Sequence, residues 1–208
     1  MHQNSRIKLE CWHQLMLAFD ISENNDTYHK LCAAYSEKHR TYHTLEHIDA
    51  CFQHFDTVLE QSTYPNEIKL ALWFHDVIYK PFSTTNEEDS ADMAKSFLFQ
   101  NAVKPEIIER VKDLIILTKD HAAPHSVDAK LMLDIDLSIL GTEQHVYAQF
   151  EKDIRREYKR VPSFIFKKKR KEVLRSFIER PRIYHTPHFF NTLETQAKHN
   201  LAWAINNL

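Results

Sequence analysis

Three short stretches carry the residue types that metal-assisted hydrolysis requires: Tyr42-His43-Thr44-Leu45-Glu46-His47, Trp73-Phe74-His75-Asp76 and Asp134-Ile135-Asp136-Leu137-Ser138. Imidazoles and carboxylates together suit a divalent ion, and such an ion activates water. His43 and His47 are four apart, which on a helix turns both toward one site, although a plain polar helix face has the same spacing. His75 and Asp76 are adjacent, hence about 100° apart on a helix, and can share an ion lying over the flank between them. They follow the apolar run Leu70-Ala71-Leu72-Trp73-Phe74, where a charged Asp76 is costly to bury without a partner. Asp134 and Asp136, two apart on another apolar helix, face nearly opposite ways. Only one is expected in the site, and Asp136 is the choice; the other is left to solvent or to a neighbouring segment.

Helices must position these groups. Apolar residues recur at helical spacing after Pro65 and Pro105, both placed where a first helical turn accepts proline. The periodicity and caps predict helices near 6–20, 26–38, 43–61, 65–79, 87–100, 104–119, 128–140, 143–159, 163–179 and 187–206. Thr186-Pro187 reads as N-cap and first residue of the last helix. Lys80-Pro81-Phe82-Ser83-Thr84-Thr85 reads as a loop beside the site, with Asn86 as N-cap of the next helix. Glu87 and Glu88 in its first turn are candidates to bind substrate or orient water, or else simply stabilise the helix dipole. A single glycine, Gly141, leaves little room for hairpin turns or phosphate-binding glycine loops. These features predict an all-α fold, one compact helical bundle spanning 1–208.

The order His, His-Asp, Asp resembles the HD superfamily of metal-dependent phosphohydrolases. Tyr42-His43-x-x-x-His47 is similar to the first histidine motif of class I cyclic-nucleotide phosphodiesterases. Phe74-His75-Asp76 followed by Pro81 and Asn86 is similar to their histidine-aspartate segment, and Asp136-Leu137-Ser138 to their last aspartate motif. The spacings are 28 residues from His47 to His75 and 60 from Asp76 to Asp136. The motif region covers about 40–141, and the whole chain resembles a small bacterial family of predicted HD phosphohydrolases, with which it shares Arg182-x-Tyr184 and Glu194-x-x-Ala197-x-x-Asn200-Leu201. Tyr79 departs from the phosphodiesterase pattern, which has histidine there, so cyclic-nucleotide specificity does not carry over.

The resemblance implies a compact HD bundle, with His47, His75, Asp76 and Asp136 as ligands to a divalent ion (Mn, Co, Ni, Mg, Zn or Fe). It implies His43 as the general acid, Asp76 within the catalytic centre, and His121 as a site-facing residue for substrate phosphate or a second ion, with a plain loop histidine as the other reading of that position. The expected reaction is hydrolysis of a small phosphoester, such as a nucleotide, by metal-activated water. A metal-binding regulatory module without turnover and a di-iron oxygenase using further histidines are the rivals.

Bulk properties agree with a soluble enzyme. A net charge of −2 supplies no general attraction to nucleic acid or anionic membranes. Lys167-Lys168-Lys169-Arg170-Lys171 wraps every side of a helix and reads as a solvated face, while Arg155, Arg156, Lys159 and Arg160 are available for phosphate. Three cysteines without a CxxC pair fit a reducing cytoplasm, and the N-terminus lacks an apolar signal core. A homodimer is left open.

Overall fold

The computed structural model describes residues 5–121 and 124–208; Met1–Asn4, part of the N-terminal reading, and Ala122-Ala123 in the loop after His121 lie outside them. Among the described residues there are ten α-helices and no strand, an all-α fold. No described helix is long and apolar enough to cross a membrane. The chain divides into two compact units, one ending at Met132 and the other beginning at Leu133.

The first unit contains α1 (Leu9–Leu17), α2 (Asn25–Tyr35), α3 (Leu45–Asp56), α4 (Pro65–Phe74), α5 (Asn86–Gln100) and α6 (Pro105–Leu117). Helix α4 is its hub, packed against α1, α3, α5 and α6. That position explains its composition: a helix apolar on every side must be surrounded. Ile68, Leu70, Ala71, Leu72, Trp73 and Phe74 are all buried. Trp73 meets Trp12 edge-on at 5.7 Å, and Phe74 stacks on Phe97 at 5.6 Å. Even Glu67 is buried, and Arg110 of α6 donates to both of its oxygens at 2.8 and 2.7 Å. The hub helix therefore has few ways to rotate, and the residues at its C-terminal end are placed firmly.

Helix α7 (Val127–Asp136) contains the division between the units. The second unit continues with a 3-10 turn (Leu137–Gly141), α8 (Gln144–Glu157), α9 (Ser163–Ile178) and α10 (Pro187–Asn207), with α10 packed on the other three. Its connections are tied by buried polar groups. Tyr184 donates its hydroxyl to the Leu137 carbonyl at 3.0 Å, Glu194 accepts from the Ile183 and Tyr184 amides, and Asn200 donates to the carbonyls of Leu140 and Thr142. Tyr184 thus anchors the C-terminal segment. Gly141 is required by close approach: a Cβ there would stand 2.5 Å from Leu193 Cβ.

Four predicted details change. Helix α3 starts at Leu45, because Thr44 is extended and its hydroxyl accepts from the Glu46 amide at 3.3 Å; His43 therefore precedes the helix. Helix α4 ends at Phe74, so His75 closes its last turn and Asp76 lies beyond. Asn86 is not the cap of α5: Thr85 occupies that position, and the Asn86 amide bonds the Lys80 N–H and carbonyl, both at 3.0 Å, pinning the loop. Thr186 sits at the N-cap of α10, but its hydroxyl donates to Asp134 instead.

Candidate metal centre

His47 and His75 arrive from different directions. His47 lies in the first turns of α3 and is buried beside Cys51, whose sulfur is 3.7 Å from its Nδ1. His75 is 1% exposed at the C-terminal end of α4, where the helix dipole favours a cation. Their Nε2 atoms are 3.3 Å apart. Asp76 Oδ2 is 3.1 Å from His75 Nε2 and 3.6 Å from His47 Nε2.

These three separations fit a shared ion. Ligand atoms about 2.0–2.2 Å from one centre stand roughly 3.3–3.6 Å apart in a tetrahedron, and those about 2.0–2.1 Å away roughly 2.8–3.0 Å apart in an octahedron. The tautomer also fits. His75 Nδ1 is 3.0 Å from the Leu72 carbonyl, which can only accept, so Nδ1 carries a hydrogen, and the ring would present a bare Nε2 to an ion that displaces its other proton. His47, His75 and Asp76 can therefore hold a metal ion. Burial raises the Asp76 carboxyl pKa, but the neighbouring imidazoles of His75, His43 and His47 outweigh it and hold the group well below the usual carboxylate range. The carboxylate is ready to act as a ligand.

His43 joins this group from the bend before α3. Its ring stacks on Tyr79 with centroids 4.1 Å apart and lies 6.2 Å from the His47 ring. The expected proximity of His43 and His47 is present, but a bend and a stacked tyrosine produce it rather than one helix face. Tyr79 also stacks on His39 at 6.2 Å and accepts, through its carbonyl, from His39 Nε2 at 2.8 Å.

The other candidates divide. Asp136 is half-buried at the end of α7, in the second unit. Asp134 is fully buried and accepts from the His185 amide at 2.7 Å, the Thr186 amide at 2.7 Å and the Thr186 hydroxyl at 2.6 Å. It holds a neighbouring segment, one of the two roles the sequence left open for whichever aspartate stays out of the site. Glu88 pairs with Lys119, which also donates to the Thr84 carbonyl. Glu87 is half-buried beside it in the first turn of α5. His121 follows α6 with φ 47, its amide bonded to the Leu117 carbonyl at 3.1 Å. In the basic run, Arg170 turns inward to a bidentate pair with Glu151, and Arg155 donates to the carbonyls of Tyr158 and Val161.

Sequence inspection missed Arg40. It precedes the first motif by two residues, but no periodicity or metal-ligand spacing singles it out. No family model, curated protein or solved structure matches the chain.

Proposed function

We propose that the protein is a metal-dependent phosphohydrolase acting on a small phosphoester, a nucleotide or a related compound. The observation that carries this reading is the convergence of His47 Nε2, His75 Nε2 and Asp76 Oδ2 within 3.6 Å of one another, with the His75 ring fixed by the Leu72 carbonyl. Asp136 belongs to the proposed ligand set on its sequence motif. An ion held there supplies a nucleophilic water at neutral pH and withdraws charge from a phosphoryl oxygen. The chain's own residues do the rest. His43, stacked on Tyr79, holds the proton that the leaving oxygen takes as its bond to phosphorus breaks. Glu87, Glu88 and His121 are candidates to orient the substrate.

The test is a panel of phosphomonoesters, diesters and nucleoside triphosphates incubated with metal-stripped protein reloaded with Mn, Co, Ni, Mg, Zn or Fe. Metal-dependent product release, abolished by His75→Ala, supports the reading, and the product identifies the bond cleaved. A metal-loaded protein that turns over none of these substrates refutes it. Iron with redox-active absorption and oxygen consumption would replace it with the oxygenase.

A further inference from the structure

We propose that Arg40 is the positioning residue of this centre: one buried guanidinium fixes the two non-helical segments that carry His43 and Asp76. This inference rests on the metal-site reading. The Arg40 side chain has no exposed surface. Its Nη1 donates to the carbonyls of His43 at 3.2 Å and Asp76 at 2.7 Å, and its Nη2 to that of Val77 at 2.8 Å. Nε donates to Glu37 at 3.1 Å. The guanidinium also lies 5.2 Å from the Tyr35 ring centroid and 5.5 Å from that of Tyr79, the ring stacked on His43.

The geometry explains why an arginine is needed. His43 and Asp76 stand just outside their helices, so regular helical hydrogen bonding does not dictate their backbone angles. A planar fork reaching carbonyls of both segments sets them relative to each other, and the Asp76 carbonyl contact orients the residue whose carboxylate meets His75 and His47. His43 is held twice, through its carbonyl and through Tyr79. Lysine would keep the charge without the fork. Arg40→Lys therefore isolates positioning from any change in the local field acting on a cation.

The experiment is titration of metal-free protein with Co2+, followed by visible absorption, with circular dichroism and thermal melting in parallel. Arg40→Lys is expected to weaken cobalt binding about 10–100-fold and alter the ligand-field bands while the helical content stays. Glu37→Asp, which keeps the charge and draws the carboxylate back from Nε of the guanidinium, should shift binding the same way but less, and it decides the matter if Arg40→Lys does not fold. Arg170→Ala is the control: it breaks the Glu151 pair in the second unit and should lower stability without changing cobalt affinity. Wild-type affinity in Arg40→Lys, or in Glu37→Asp should that variant have to decide, overturns the proposal, as does an equal loss in Arg170→Ala. Wild-type protein that binds no cobalt refutes the metal centre and this role with it. Cobalt binding without phosphoester turnover refutes only the hydrolytic reading and leaves the Arg40 comparison decisive.

Discussion

Asp134→Asn and Asp136→Asn are expected to have opposite phenotypes, although the two residues are separated by only one position. Asp134 Oδ2 accepts from the Thr186 amide and hydroxyl, and Oδ1 from the His185 amide. A carboxamide keeps one oxygen and turns an NH2 toward the remaining donors, so at least one buried donor loses its acceptor, at about 1–3 kcal/mol. Asp134→Ala strands all three and should cost about 3–5 kcal/mol. Urea melts at neutral pH check both values, and metal content after purification should equal wild type in whatever fraction folds. Asp136→Asn should instead lose metal while the helical fold stays.

The pH dependence gives a second check. Burial raises the Asp134 carboxyl above its ordinary range, although its bonds to Thr186 and His185 oppose the shift. A group with a raised folded pKa contributes its full stability below the unfolded value and loses it as pH rises through the folded value. The stability gap between wild type and Asp134→Asn should therefore be wider at the acid edge of the carboxylate range than at neutrality. An Asp134→Asn melt equal to wild type, or metal loss confined to Asp134→Asn, would refute the assignment.

Asp76→Ala should abolish bound metal while circular dichroism stays helical; full metal occupancy refutes the ligand assignment. Gly141→Ala should lower stability by about 1–3 kcal/mol, because the new methyl meets Leu193 Cβ at 2.5 Å and the Leu193 carbonyl at 2.9 Å; an unchanged melting temperature would show that α10 shifts freely. His43→Ala should keep metal yet lose roughly 10²–10⁴-fold in turnover on esters with poor leaving groups, and much less on a nitrophenyl ester. Equal losses on both esters would mean that His43 places substrate instead of supplying a proton, and loss of metal would make it a ligand.

The ten helices among the described residues were legible because each buries apolar residues and many begin at a proline or a capping side chain. Pro65, Pro105 and Pro187 each open a helix as predicted. The errors gather at helix ends, where side chains compete for backbone groups. Thr44 captures the Glu46 amide and delays α3, and Thr186 gives its hydroxyl to Asp134, a residue 52 positions away. Periodicity reports which face of a segment is apolar. It carries no record of a long-range hydrogen bond, so Asp134 and Asp136 could be separated by direction but not by role.

The candidate centre shows the same limit more sharply. Histidine and aspartate announce themselves by type, so His43, His47, His75 and Asp76 stand out as candidates, and the family resemblance is what implies His47, His75 and Asp76, with Asp136, as ligands. What orients them is different in kind: the Leu72 carbonyl fixes the His75 tautomer, Tyr79 seats the His43 ring, and Arg40 ties the His43 segment to the Asp76 turn. Each acts through a backbone carbonyl or a ring face, which any residue or any aromatic can offer. Their identity as partners exists only in three dimensions. A centre assembled from helix ends gains the freedom to aim its side chains, and it then depends on such partners to remove that freedom. Substitutions at Arg40 or Tyr79 should consequently disturb metal geometry more than their distance from the ligands in sequence suggests.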